Sequence, residues 1–210
     1  NDLSANGIYI GRGLLNSGTN HNLSIGVGSK NFSTNTNSSA LNNIAIGRNA
    51  LTTLVGGYSN NAVGNGALSG TNGGYQNNAF GFEALKGNTT GDNNSGFGQS
   101  TLQANSTGDD NTAVGYNSLV STTGDKNTAI GSTTNVSAGK SNSTAIGFGA
   151  TVSENNTIQL GNTEVTSVVT SGTLSATGAI LGTLRVTGGS PSSGKVLVSD
   201  ASGNATWQTS

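Results

Sequence analysis

A ten-residue pattern returns along this chain at a nearly fixed interval, and it constrains the fold more than any other feature. It reads NNIAIGRNAL at 42–51, NNAVGNGAL at 60–68, NNAFGFEAL at 77–85 and DNTAVGYNSL at 110–119. Aligning each copy on the glycine after its apolar pair gives the aligned glycines: Gly11, Gly26, Gly47, Gly64, Gly81, Gly98, Gly115, Gly131, Gly147 and Gly161. The steps between them are 15, 21, 17, 17, 17, 17, 16, 16 and 14 residues. Such regularity predicts a solenoid in which each repeat adds one coil.

Positions around the aligned glycine keep their character from copy to copy. The residue before it is always large and apolar: Ile10, Ile25, Ile46, Val63, Phe80, Phe97, Val114, Ile130, Ile146 and Leu160. The residue two before it is mostly alanine, leucine recurs four after it, and a TGD turn signal follows at 90–92, 107–109 and 123–125. These columns predict a short strand, a glycine where chains approach closely, and a polar turn in every coil.

Asparagine recurs four positions before the aligned glycine, at Asn43, Asn60, Asn77, Asn94, Asn111 and Asn127. Stacked coils place equivalent residues about 4.8 Å apart. We therefore expect a structural ladder of side-chain amides that hydrogen-bond along the stack, in preference to a ligand-binding set.

Composition argues against several other classes of protein. The chain has 210 residues, 34 of them glycine, and only 31% are hydrophobic, which is poor for a conventional globular core. Glycine and asparagine interrupt any helical pattern. A net charge of −1 with scattered Lys and Arg argues against a disordered polyelectrolyte and against nucleic-acid binding. No apolar run is long enough to span a membrane, and the absence of Cys and Met is consistent with an extracellular or virion location.

The predicted strand is apolar on both faces. Side chains alternate across a strand, so the alanine column and the large apolar column point in opposite directions. One column can fill the inside of the coil, and the other needs a second apolar surface. We therefore expect copies of the chain to pack side by side, with the small residues allowing close approach either within the coil or between chains.

The repeats NNIAIGRNAL, NTAVGYNSL and STAIGFGA, over roughly residues 5–162, resemble the head repeats of trimeric autotransporter adhesins, a style of repeat that also occurs in phage tail fibres. The resemblance implies an all-β fold: a left-handed parallel β-roll over 1–162, with coils of 14–21 residues and three chains to a head. The 17-residue step is longer than the usual adhesin coil, so the turns should differ. The run NTIQLGNTEVTSVVTSG at 156–172 resembles the exit into a thin intertwined stalk, expected over 163–188.

The C-terminal segment GSPSSGKVLVSDASGNATWQTS, at 189–210, resembles the segment that precedes the intramolecular chaperone domain of phage tail fibres and tailspikes. In that family the chaperone cuts itself away after a serine, and Ser210 stands where such a cut, or an arbitrarily chosen end, would leave the chain. Read physically, KVLVS and ATWQ flank a turn at DASGN and predict a β-hairpin.

Few residues suggest chemistry. Asp92, Asp109 and Asp125 recur at steps of 17 and 16, so they should line one edge. Such a column could bind Ca²⁺ or supply the paired carboxylates of a retaining glycosidase, but aspartate after glycine is also ordinary turn chemistry. His21 is the single histidine; three copies could meet on an axis around a metal, but we expect it to be solvated. No zinc cluster or Ser-His-Asp triad is expected.

The position after the aligned glycine varies most, as expected of a surface that packing does not dictate. Candidate receptor contacts there are Phe82, Tyr116, Phe148 and Arg48. The aromatic side chains could form platforms for sugar rings, or they could fill the contact between chains.

These observations predict a non-enzymatic homotrimeric fibre that holds a receptor-binding surface away from a phage tail. Its expected partners are a host surface glycan or protein receptor and other tail or fibre proteins, without nucleic acid or membrane insertion. The expected location is the virion tail or a cell surface. The alternatives are the head of a bacterial trimeric adhesin and, less favoured, a tailspike that cleaves polysaccharide.

Overall fold

The computed structural model describes residues 3–5, 8–12, 21–29, 40–171, 192–201 and 204–209, the first two ranges by their backbone alone. The chain divides into two compact units, Asn1–Val168 and Val169–Ser210. Every regular element in the described ranges is a β-strand. The prediction of an all-β fold is therefore confirmed for the described residues.

The strands are short. Those of the first unit are β1 (Leu3–Ala5), β2 (Ile8–Arg12), β3 (Leu23–Ile25), β4 (Ile44–Ile46), β5 (Asn61–Val63), β6 (Asn78–Phe80), β7 (Ser95–Phe97), β8 (Thr112–Val114), β9 (Thr128–Ile130), β10 (Asn135–Val136), β11 (Thr144–Ile146), β12 (Thr151–Val152) and β13 (Ile158–Leu160). Those of the second unit are β14 (Lys195–Ser199) and β15 (Ala205–Thr209).

Nine strands stack in parallel in the order β3-β4-β5-β6-β7-β8-β9-β11-β13. Each pairs with the next at the repeat interval, so that Ala45 lies opposite Ala62 and Val63 opposite Phe80. β10 and β12 form a small second parallel sheet. The eight steps between the nine strands make a solenoid about 38 Å long, which confirms the parallel β-solenoid that the repeat predicts.

The N-terminal strands depart from this stack. β2 pairs antiparallel with β3, so that Gly11 lies opposite Ser24, and β1 pairs antiparallel with β2. The prediction that Gly11 begins the glycine column of a parallel roll is therefore wrong. Spacing along the sequence does not show the direction of a strand, and Tyr9 stands two before Gly11, where most of the stacked coils carry a small residue.

The apolar interior of the roll is built mainly from columns of alanine and leucine. The alanine column is fully buried, as is the leucine column of Leu51, Leu68, Leu85, Leu102 and Leu119. The small residues thus allow close packing inside the coil. The five leucines have φ between 50° and 54°, a left-handed conformation that is uncommon for a branched side chain, because each lies at a sharp turn that must return its side chain inward.

A buried asparagine ladder runs the length of the roll. Asn77 Oδ1 accepts from the backbone N–H of Asn94 at 3.0 Å and from its Nδ2 at 3.2 Å. Asn77 Nδ2 donates to the carbonyl of Gly91, at the turn of its own coil, at 2.8 Å. The six asparagines expected from the sequence all form such bonds, Asn22 begins the ladder, and Ser143 ends it by donating its backbone N–H to Asn127 Oδ1.

The second unit contains an antiparallel hairpin. β14 pairs with β15 so that Leu197 lies opposite Trp207, and Asp200 and Asn204 close the turn through their backbone and side chains. The hairpin expected from KVLVS and ATWQ is present. Of the expected stalk, 172–188 lies outside the described residues, and 163–171 contains no strand in the structure.

The aligned glycines lie where neighbouring coils touch. Gly98 has φ +135°, and a Cβ placed on it would lie 2.6 Å from the carbonyl oxygen of Gly115. Gly98→Ala should therefore lower the free energy of unfolding by about 2–5 kcal/mol through backbone strain and overpacking. Denaturant titration at matched protein concentration measures this change.

Gly73→Ala is the matched control. A Cβ on Gly73 meets nothing within 4 Å, and Thr90 fills the equivalent place in the next coil. The control should be neutral or stabilising by up to about 1 kcal/mol. If Gly73→Ala and Gly98→Ala lowered the free energy of unfolding equally, the close approach of coils at Gly98 would be contradicted.

The ladder makes a second prediction. Asn60→Ala removes the acceptor of the Asn77 backbone N–H and Nδ2 groups and the donor to the Gly74 carbonyl. Because each buried group left unpaired costs about 1–3 kcal/mol, the free energy of unfolding should fall by about 3 kcal/mol or more. The exposed Asn72, changed to the Thr of the next coil, should alter it by less than about 0.5 kcal/mol. A small loss for Asn60→Ala would show that the ladder is dispensable.

Candidate functional surface

The outward face of the parallel sheet carries a continuous line of large apolar side chains, one per coil. This apolar row consists of Ile25, Ile46, Val63, Phe80, Phe97, Val114, Ile130, Ile146 and Leu160. From Phe80 onward each member is 38–46% exposed, whereas the alanine or glycine beside it in strands β6 to β11 of the stack is buried and Gln159 in β13 is half-buried. The rings of Phe80 and Phe97 stack at 5.2 Å between centroids. The row is thus a surface and not part of the core.

The same face carries almost no charge. Three columns point outward: the residues three before, one before and one after each aligned glycine. Between Leu23 and Asn162 these columns contain a single charged side chain, that of Arg48. Arg48 is exposed and has no ion-pair partner among the described residues. Electrostatic attraction therefore contributes little to whatever this face binds.

The column after the aligned glycines forms an outer row beside the apolar row. Its members are Val27, Arg48, Asn65, Phe82, Gln99, Tyr116, Ser132, Phe148 and Asn162. Backbone bonds keep them in step: the carbonyl of Phe82 accepts from Ser100 N at 2.9 Å, and that of Tyr116 from Thr133 N at 2.8 Å. Each member therefore lies one coil from the next.

The four receptor-contact candidates all lie in this outer row. Phe82, Tyr116 and Phe148 are 47%, 50% and 67% exposed, and Arg48 is exposed as well. Each is two coils from the next, so the structure does not gather them into one pocket. They are spaced contacts along one edge of the roll.

The three aspartates line a different edge, six positions before the aligned glycines. Asp92 Oδ1 accepts from the backbone N–H of Tyr75 at 2.9 Å. In the same way, Asp109 Oδ1 accepts from the backbone N–H of Asp92 at 2.8 Å. Asp125 Oδ1 accepts from the backbone N–H of Asp109 at 3.0 Å. One oxygen of each carboxylate thus accepts a hydrogen bond from the backbone of the preceding coil. These bonds favour the interpretation that aspartate recurs at this position because it stabilises the turns.

No group of three or more His, Cys, Asp and Glu side chains is placed to hold a metal ion within the described ranges. His21 is exposed and lies beside Asn22, away from the outward columns. The aspartates lie one above another along the roll, with one oxygen of each bonded to the backbone of the neighbouring coil. A calcium site would have to use the remaining carboxylate oxygens.

Two tyrosines continue the aspartate column toward the N-terminus. The rings of Tyr58 and Tyr75 stack with centroids 4.9 Å apart and an interplanar angle of 1°. The Tyr75 phenol donates a hydrogen bond to the Asp92 carboxylate, which together with the negative charge of Asp92 raises the pKa of Tyr75 above its ordinary value of 10.0. Sequence reasoning missed this pair, although both residues stand six before an aligned glycine.

Comparison with known proteins identified no family for the chain. It matches no protein-family model, and a search of curated proteins found no match. In the part of the chain that the structure describes, no helix could cross a membrane.

The Tyr75–Asp92 contact should be detectable in the ionisation of the Tyr75 phenol. Because the pKa of Tyr75 is raised in the folded chain, the contact adds stability below about pH 10, and this contribution is lost as the pH rises through the folded-state value. Asp92→Asn should lower the pKa of Tyr75 by removing the charge. Ultraviolet difference spectroscopy follows ionisation of the phenols, and Tyr75→Phe identifies the contribution of this residue.

Asp110→Asn is the control, because Asp110 does not contribute to the shift at Tyr75. Its titration curve should match that of the unchanged chain. A curve for Asp92→Asn that also matches would show that the phenol and the carboxylate do not interact.

Proposed function

We propose that this chain is the structural and adhesive part of a homotrimeric fibre that attaches a phage, or a phage-tail-like particle, to a host cell surface. The observation that carries the proposal is the apolar row on an otherwise nearly uncharged face. A contiguous exposed apolar surface marks an interaction site, and this one extends from Phe80 to Leu160, with half-buried Ile25, Ile46 and Val63 continuing the row.

A second copy of the same chain fits this surface best. The apolar side chains recur once per coil, about every 4.8 Å, and another copy of the roll presents side chains with the same spacing. Identical rows can therefore interdigitate along their full length, which no surface of different spacing can do. The near absence of charge on the face removes the repulsion that like charges would cause between copies.

The number of chains and the hand of the roll come from the resemblance of the repeats to trimeric adhesin heads and tail fibres. On that basis three left-handed rolls pack around an axis, and the segment 163–188 continues as an intertwined stalk. The C-terminal resemblance favours the phage fibre, whose place is the virion tail. The bacterial adhesin head is the alternative, because the roll repeats resemble both.

Two features support attachment in preference to catalysis. The candidate carboxylates lie on an edge where each is bonded to the backbone of a neighbouring coil, and they line a straight column rather than facing each other across a cleft. A trimer instead offers three copies of every outward side chain. Three weak contacts on one rigid body bind a cell surface much more tightly than one contact does.

The test is a charge placed in the apolar row. Ile130→Lys puts an ammonium group at a position that is 44% exposed in the single chain and buried in the proposed trimer. The uncompensated charge should dissociate the assembly into single chains, as measured by sedimentation or light scattering. Binding of labelled protein to a panel of bacterial cells should fall with it.

Val55→Lys is the control, because Val55 is 48% exposed but lies in a turn outside the outward columns. This variant should assemble and bind cells like the unchanged chain. A monomeric unchanged chain, or a trimeric Ile130→Lys variant, would contradict the proposal.

A further inference from the structure

The outer row alternates between two kinds of side chain. From Arg48 onward it reads Arg48, Asn65, Phe82, Gln99, Tyr116, Ser132, Phe148 and Asn162. A large side chain stands in every second coil, and a side-chain amide or hydroxyl stands in each coil between. We infer that this row binds an extended polysaccharide that lies along the roll and repeats every two sugars. The inference rests on the proposed attachment function and specifies its ligand.

The spacing of the aromatic rings is fixed by the backbone. Ser100 N donates to the Phe82 carbonyl, Asn117 N to that of Gln99, and Thr133 N to that of Tyr116, at 2.8–3.0 Å. Phe82 and Tyr116 are thus two coils apart, as are Tyr116 and Phe148. At about 4.8 Å per coil, consecutive rings are separated by about 9.6 Å.

An extended chain of β-1,4-linked pyranose sugars has a matching repeat. Each sugar is turned over relative to the one before it, so that the same ring face recurs at every second sugar, at nearly the interval between these aromatic rings. An aromatic side chain stacks on the apolar face of such a ring. The amides of Asn65 and Gln99 and the hydroxyl of Ser132 can both donate to and accept from sugar hydroxyls. The alternation therefore supplies both kinds of contact that a sugar chain needs.

The contrast with the apolar row separates ligand binding from chain packing. The apolar row carries Ile, Val, Phe or Leu in every coil, as a surface for another roll requires. A packing surface gains nothing from an amide or hydroxyl in every second coil, because burying such groups without partners is costly. The outer row thus fits the edge of the contact between chains, where a ligand reaches it.

Charge further restricts the ligand. Between Asn65 and Asn162 the outer row is uncharged, and Arg48 stands at its N-terminal end. A guanidinium group pairs well with a carboxylate or phosphate group. The row therefore suits a neutral polymer, or one that carries a single acidic substituent within reach of Arg48.

The first experiment measures binding of the full chain to chito- and cello-oligosaccharides, from the disaccharide to the hexasaccharide, by isothermal titration calorimetry. Affinity should increase with length as more aromatic rings are engaged. Phe82→Ala, Tyr116→Ala and Phe148→Ala should each weaken hexasaccharide binding by about two- to tenfold. Affinity that does not depend on length would overturn the inference.

The second experiment changes the spacing and keeps the composition. In the double variant Gln99→Tyr, Tyr116→Gln the aromatic ring moves to the coil next to Phe82, while the number of rings stays the same. This variant should lose about as much hexasaccharide affinity as Tyr116→Ala and keep the disaccharide affinity. Unchanged hexasaccharide affinity would show that the two-coil spacing is irrelevant.

Light scattering of every variant separates the two proposals. Outer-row variants that remain trimeric but bind less sugar support the inference, and variants that dissociate would place this row in the contact between chains. A trimeric unchanged chain that binds cells but none of these oligosaccharides overturns the inference and leaves the attachment function standing. A monomeric unchanged chain overturns the attachment function instead.

Discussion

The asparagine ladder is the interaction on which the rest of the roll depends. The buried apolar side chains are mostly alanine and leucine, and only 31% of the chain is hydrophobic, so there is less apolar material to bury than in an ordinary domain. Each ladder amide instead joins its coil to the preceding coil and closes the turn of its own, as Asn77 does between Asn60 and Gly91. Because these groups are buried, any change of register would leave several of them unpaired. The ladder therefore fixes which residues lie above one another, and with them every outward row.

The repeat interval made most of the fold predictable. Once the coils are aligned on glycine, the strands, the inward alanines and the ladder positions follow from alternation and stacking alone. The alignment does not hold at Gly11, because spacing gives no information on strand direction. Asn22 is hard to recognise as a ladder position from the sequence because the step that follows it is the longest, at 21 residues. The edges of the stack were thus less predictable than its middle.

The candidate site was predictable in composition but not in arrangement. The sequence indicated that Phe82, Tyr116 and Phe148 vary among matched coils, which suggested contact with a partner. It could not show whether they share a face with the large apolar residues, since that depends on the direction of the chain after the glycine. The structure places both rows outward. One exposed row is uniformly apolar and the other alternates in character, which is the difference on which the proposed assembly and the proposed recognition rest.

All the ladder amides point the same way, and this direction bears on how the roll is made. The acceptor that each asparagine needs lies in the coil before it, as Asn43 uses Asn22 and Asn60 uses Asn43. During translation the earlier coil leaves the ribosome first. Every new coil therefore meets its ladder acceptor in a coil that has already been synthesised, and the roll can lengthen one turn at a time, in step with synthesis.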